Sequence, residues 1–306
     1  MRKLIVLFLF VSLASCHAAP SLLLLLDPYY AELLGAEGRG EGQLRRSLRG
    51  SFAVRTEVLD PRADFAAEAE RRVRALRPGW VFLSPLLPFD AEALAARFPE
   101  VRFLGEQVST PSAPNLTRLS FRREQAFRNA GTVVARLLTR PALQPVLGGR
   151  AAGQPKAGLL LAAPTPQAQR DAEAFRQAFA AEAGPGLLVE RTLASLADTS
   201  QARRALQEMR EEGAAVFLLK TYSLTGFCLE TLRSEGGLAV LEEGAGTAAF
   251  AGQVLLWFEE DLVGALRGLA SEGKAPVLEA RVRLVAGPLL SSAPVRAELG
   301  FPEMFE

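Results

Sequence analysis

Short apolar runs recur along the chain, separated by stretches in which apolar residues return every three or four positions. Ser21 to Leu26 is the first such run and stops at Asp27-Pro28-Tyr29-Tyr30. At that length it predicts a strand buried on both faces of a parallel sheet. Phe52 to Leu59 alternates apolar and polar residues; Asp60-Pro61 and Asp64 then open a helical stretch through Leu76, which Arg77-Pro78-Gly79 ends. Trp80 to Leu83 predicts another buried strand, Asp90 to Phe98 a helix, and Val101 to Leu104 and Leu116 to Phe121 two further strands.

A second series begins at Glu124 to Leu138, where Phe127, Ala130, Val134, Leu137 and Leu138 share one helical face. Pro141 to Pro155 reads as a loop rich in proline and glycine. Strands are expected at Ala157 to Ala163, Leu187 to Leu193, Ala215 to Leu219 and Leu238 to Leu241. Between them lie helices at Gln167 to Glu182, from Asp198 to Glu212, and at Thr225 to Ser234. Phe250 to Leu269 predicts one long amphipathic helix carrying Trp257, and Arg281 to Val285 a closing strand. Strands alternating with helices throughout give an α/β fold with doubly wound parallel sheets. Ligands of such sheets bind beyond the carboxyl ends of the strands, so the loops there hold the candidate chemistry.

At 306 residues the chain is too long for one comfortable core, which predicts two lobes. The expected division is residues 21–122 with 248–280 and residues 123–247 with 281–306, a return of the final strands to the first lobe being the alternative. Lysine and arginine total 35 against 34 acidic residues, interspersed along the sequence, so there is no electrostatic footprint for nucleic acid. The only histidine, His17, precedes the folded body, leaving none for acid–base work or transition-metal ligation. No phosphate-cradling glycine loop or nucleophile elbow follows a strand. The acidic pair Glu259-Glu260 falls inside the predicted long helix, where neighbouring side chains diverge. An enzyme is not expected, and no cofactor is implied. Cys228 reads as a small buried residue on a helix.

The N-terminus supplies an address. Arg2 and Lys3 precede the apolar stretch Leu4 to Leu13, and Leu13-Ala14-Ser15-Cys16 resembles the lipobox of bacterial lipoproteins. That resemblance implies a signal peptide over residues 1–15, acylation (palmitate) at Cys16 and a tether over residues 16–20. It places the protein on a cell membrane, facing the periplasm or the exterior. An ordinary secretory signal cleaved near Ala18-Ala19-Pro20 is the alternative.

From Phe98 onward several blocks resemble the basic membrane lipoprotein family, also called the purine nucleoside receptor family, of type I periplasmic solute-binding proteins. Ala95-Ala96-Arg97-Phe98-Pro99-Glu100-Val101-Arg102-Phe103 is similar to the family's "A-x-x-F-P-D-V-K-F". Phe121-Arg122-Arg123-Glu124-Gln125-Ala126-Phe127-Arg128-Asn129-Ala130-Gly131 is similar to its crossover into the second lobe. Gly226 to Gly236 resembles its "G-x-G-V-x-x-A-x-E-x-G". The resemblance implies two lobes joined by a hinge that the chain crosses three times, with a small-molecule ligand in the cleft. It also implies a monomer that delivers its ligand to an ABC permease.

On that resemblance Asp27, with Tyr29 or Tyr30, takes the place of a carboxylate and an aromatic after the first strand; Asp27 equally suits a helix cap before Pro28. Ser84 follows the Trp80 strand. Tyr222 and Phe227 occupy a loop where the family presents an aromatic to its base, and Phe227 is equally suited to the core. Glu243, in the pair Glu242-Glu243, stands where a carboxylate holds ribose, though the pair before Gly244 also suits a solvated loop; Trp257 replaces a region that carries a lysine in many members, and at helical spacing it also suits the core. The family's aspartate-rich run gives way to Leu33-Leu34-Gly35-Ala36. These departures suit a small planar ligand, nucleoside-like or flavin-like. The competing expectation is a degenerate binding-protein fold acting as an envelope lipoprotein without transport.

Overall fold

In the computed structural model the first apolar run becomes β1 (Ser21–Leu26), with Leu22 to Leu26 all buried. A strand covered on both faces has no polar side to alternate with. Residues 19–300 are described, apart from 37–40, 61–63, 86, 88–89, 107–111, 150–152, 243–248 and 273–276. The expected leader, Cys16 and Glu243 therefore lie outside the described residues.

After β1 come α1 (Pro28–Ala36), α2 (Glu41–Ser47), β2 (Ala53–Val58), α3 (Phe65–Leu76), β3 (Trp80–Leu83), α4 (Ala91–Arg97), β4 (Arg102–Gly105) and β5 (Leu116–Phe121). The second series is α5 (Arg123–Thr139), α6 (Gln144–Leu147), β6 (Lys156–Ala162), α7 (Pro166–Ala183), β7 (Leu188–Leu193), α8 (Thr199–Glu211), β8 (Ala214–Lys220), α9 (Thr225–Glu235) and β9 (Leu238–Leu241). It ends with β10 (Val254–Glu260), α10 (Leu262–Glu272), β11 (Val277–Ala280), β12 (Val282–Ala286) and α11 (Ala293–Leu299). Aspartates start the helices as the sequence suggests: Asp64 caps α3, Asp90 caps α4 and Asp198 caps α8, each carboxylate accepting from backbone N–H groups of the first turn.

Two six-stranded sheets result, in the orders β11-β5-β4-β3-β1-β2 and β12-β10-β9-β8-β6-β7. The orders match position for position. In each sheet the first strand of the series lies between the second and the third, and these pairings are parallel. Strand order therefore reverses between β1 and β3 and again between β6 and β8, which makes these two places the switch points where such sheets hold ligands. β10 and β12 pair antiparallel at the edge of the second sheet. Helices cover the second sheet on both faces: α5 and α7 pack on one core cluster, α8 and α9 on the other. At Gly131 the backbones of α5 and α7 approach so closely that a Cβ would stand 2.5 Å from the Phe175 carbonyl oxygen.

The sequence expectation fails between Phe250 and Leu269. Instead of one helix, Val254–Glu260 is a strand of the second sheet and α10 begins at Leu262. Five consecutive apolar residues, Val254 to Phe258, satisfy a helical and an extended pattern alike, and burial on both faces decides for the strand. Within the stretch 248–280, expected in the first lobe, residues 254–260 thus pair in the second sheet. Trp257 and the acidic pair Glu259-Glu260 sit on a strand for the same reason.

The described residues fall into two units. One lies within Met1–Ala31, Arg39–Leu119 and Val263–Leu278, the other within Glu32–Gly38, Ser120–Leu262 and Glu279–Glu306. Apart from the short Glu32–Gly38 segment, the chain passes from unit to unit after Leu119, Leu262 and Leu278. On the second unit's side these crossings are tied together: Arg122 N donates to Ala280 O and Asp261 N to Arg281 O, both at 3.0 Å. Arg123 and Glu260 add a buried ion pair between the first and second crossings.

Candidate functional site

The first switch point carries Asp27 and Ser84, directly after β1 and β3. Parallel pairing of those strands brings the two loops side by side, and Ser84 donates its hydroxyl to Asp27 Oδ2 at 2.7 Å. Asp27 N in turn donates to Ser84 Oγ at 2.8 Å, and Asp27 Oδ1 accepts from Tyr30 N at 2.9 Å. Asp27 is therefore the cap of α1, and both side chains are buried. Tyr30 is buried too, its ring tilted against Phe82 at a centroid distance of 5.9 Å. Tyr29, one residue earlier on the helix, is half-buried.

The second switch point, at the ends of β6 and β8, is more highly charged. Lys220 closes β8 with only 2% of its surface exposed, and Asp171, on α7, is 0% exposed. The ammonium lies 3.3 Å from Asp171 Oδ2 and also binds Glu242, which follows β9. It faces two rings, Phe127 at 5.3 Å and Tyr222 at 5.8 Å from their centroids, within cation–π range. Gln167 holds the other Asp171 oxygen at 2.7 Å. One buried cation thus lies between two carboxylates and against two aromatic rings, at the place where the strand order reverses.

Backbone conformation marks the same spot. Ala163, just past β6, has φ 40°, and Tyr222, just past β8, has φ 49°. Residues other than glycine held in the left-handed region cost on the order of 1–3 kcal/mol each and cluster at functional sites.

Of the remaining expected residues, Phe227 lies on α9, partly buried on the core and under the Arg203 guanidinium at 5.2 Å. Trp257 packs against the same cluster from β10, and its Nε1 donates to Glu259 Oε1 at 3.3 Å. The structure groups Asp27, Ser84 and Tyr30 in one unit and places Tyr222, Phe227 and Trp257 in the other. Lys220, Asp171 and Glu242 are the residues that sequence reasoning passed over. Among the described residues no group of three or more histidine, cysteine, aspartate or glutamate side chains is placed to hold a metal ion. No helix there is long and apolar enough to cross a membrane.

Below Tyr222, Cys228 is fully buried on α9, and burial pushes its thiol up to about 11. The folded protein holds this proton more tightly than the unfolded chain, so stability from this group is present below about pH 9 and is lost as pH rises through 11. The loss should total about 2–3 kcal/mol. Urea denaturation at stepped pH, on the native chain and on C228A, should show the difference between them closing over that window. A constant difference would contradict it.

No protein-family model matches the chain, and no curated protein matches it. Among solved structures, a transcriptional activator of the comK gene from Bacillus halodurans has 16% identity and a TM-score of 0.64, over 92% of this chain and 95% of that one. An ABC-transporter solute-binding protein from Aeropyrum pernix K1 has 14% identity and a TM-score of 0.63, over 92% of this chain and 81% of that one. Another, from Conexibacter woesei, has 14% identity and a TM-score of 0.61, over 94% and 100%. The fold is that of the type I periplasmic binding proteins, two α/β lobes each built on a parallel-dominated sheet.

Proposed function

We propose that the protein is the lipid-anchored solute-binding component of an ABC importer, tethered through Cys16, that captures a small planar ligand, nucleoside-like or flavin-like. It is a binding protein and not an enzyme, a monomer that hands its ligand to a permease on the outer side of a cell membrane. The observation carrying this reading is the second switch point, where two strained backbone positions and a buried ion cluster present the Tyr222 ring at the strand ends. Two neighbours of the same fold are described as ABC-transporter solute-binding proteins. The blocks resembling the basic membrane lipoprotein family give the nucleoside class, and Tyr222 supplies the ring on which a base or flavin stacks.

Thermal denaturation with nucleosides, flavins, sugars and amino acids tests it. At a ligand concentration a hundred times Kd, a planar heterocycle should stabilise the chain by about 2.7 kcal/mol. Tyr222→Leu should weaken binding by the ~1–3 kcal/mol of a stacked base. If no planar heterocycle raises the melting temperature, the proposal fails.

One observation favours the second reading, a binding-protein fold retained as an envelope lipoprotein without a ligand. At the first switch point Asp27 and Ser84 satisfy each other and Tyr30 is packed inside. Native mass spectrometry of the purified protein separates the two, since a co-purifying small molecule is expected only for a transport protein.

A further inference from the structure

The tether leaves the folded body at the amino-terminal edge of the first sheet. Ala53 N donates to Pro20 O at 3.0 Å, Gly79 N to Ser21 Oγ at 2.9 Å, and Arg102 N to Gly79 O at 3.1 Å. These bonds gather the starts of β1, β2, β3 and β4 around Pro20 and Ser21. In a parallel sheet every covering helix returns the chain to this edge, so the helix C-termini of the unit end here as well.

The side chains around that exit are basic. Arg46 lies in the last turn of α2, Arg49 just beyond it and Arg77 just beyond α3, and Arg102 opens β4; all four are exposed. None of the four is paired with a carboxylate among the described residues, and Arg102 instead covers the Trp80 ring at 5.0 Å. Of the acids close in sequence, Glu70 is bound to Arg74 and Arg97, and Glu100 is exposed. A favourable helix dipole accounts for an arginine in a last turn, as at Arg46. It serves equally for Arg77, the C-cap of α3, but does not account for Arg49 and Arg102, which lie outside helices. Other helix-terminal arginines have acidic partners: Arg74 and Arg97 share Glu70, Arg136 and Arg140 bind Glu182, Arg210 lies 3.6 Å from Glu235, and Arg233 binds Glu230.

We infer that this arginine rim is a membrane-contact surface that rests on anionic phospholipid headgroups. The inference builds on the anchor at Cys16 proposed above. Four residues lie between Cys16 and Ser21, five steps of chain and a reach on the order of 18 Å at full extension, so the acyl chains hold the rim against the bilayer. Unpaired arginines at that distance gain from the negative surface potential, an attraction that salt screens.

Co-sedimentation with vesicles tests it on two forms, the acylated mature protein and the chain from His17 onward, which keeps every described element. The form without acyl chains is expected to bind phosphatidylcholine–phosphatidylglycerol vesicles at low salt, to release them at high salt and to ignore pure phosphatidylcholine. The variant R46Q/R49Q/R77Q/R102Q should bind about a thousandfold more weakly. Lysine at the same four positions should bind as the native chain does, which keeps the test valid if the glutamine variant folds poorly. Equal binding to both vesicle types, or lysine variants that fail to bind while folded, overturns the rim. Mass spectrometry of Cys16 tests the anchor separately. An acyl-free cysteine with salt-sensitive vesicle binding removes the anchor and leaves the rim standing. An acylated cysteine on a body indifferent to anionic lipid does the reverse.

Discussion

Lys220→Met is expected to lower folding stability by about 3–5 kcal/mol, read as a fall in the urea midpoint at unchanged slope. Methionine fills much of the lysine stem's volume and keeps its contact with Phe127, so the change is chiefly the loss of charge. Two carboxylates, Asp171 and Glu242, then face each other in a buried site with no cation between them. Removing one member of a buried ion group costs more than the group contributed, because the remaining charges stay desolvated. Adding Asp171→Asn and Glu242→Gln to the methionine variant removes those charges and should recover most of the loss. If Lys220→Met alone costs under ~1 kcal/mol, water reaches the ammonium and the cluster behaves like a surface pair. In that case the second switch point is open and solvated, and the role given to it fails with the prediction.

Little of this cluster was legible in the sequence. Lys220 follows Ala-Ala-Val-Phe-Leu-Leu, where a lysine reads as the residue at which a strand leaves the core. Asp171 stands between Arg170 and Ala172 on a helix rich in charges, which reads as a solvated face. Glu242 was visible only as half of an acidic pair, and its neighbour Glu243 drew the assignment. What joins them is the strand order, which places the end of β8 beside β9 on one side and β6, with the start of α7, on the other. Local pattern carries no information about which strands are neighbours.

Strand positions, by contrast, were legible because a parallel sheet buries both faces and leaves apolar runs behind. β1, β3 and β9 begin and end where those runs do. The same signal misled at β10, since an unbroken apolar run has no period of its own. The regularly spaced Leu262, Leu266 and Leu269 of α10 lent theirs to the residues before them. Asp27 was legible as two alternatives, a cap or a ligand group. The structure shows the cap geometry, while the bond to Ser84 depends on the pairing of β1 with β3 and had no sequence signal.

Glu260→Ala should cost a further 3–5 kcal/mol by the same physics at a different place. Arg123 opens α5 and Glu260 closes β10, with 8% and 7% of their surfaces exposed, and Arg123 Nε donates to Glu260 Oε1 at 2.5 Å. Alanine leaves the guanidinium buried without its carboxylate, whereas Arg123→Met together with Glu260→Met replaces the pair by apolar volume. That double variant is expected to lose under ~1 kcal/mol or to gain stability, so the coupling between the two sites in a double-mutant cycle should be large. Urea denaturation of the native chain, Arg123→Met, Glu260→Met and the double variant supplies the cycle, and near-additive losses would contradict it. A pair that stability alone does not require is then retained for what it holds. It joins the first and second crossings of the chain beside the backbone bonds Arg122–Ala280 and Asp261–Arg281, at the one place where all three crossings meet in the second unit. The apolar double variant separates the two roles: if stability survives while the ligand-induced rise in melting temperature shrinks, the ion pair serves the geometry of the crossings and not the packing of the core.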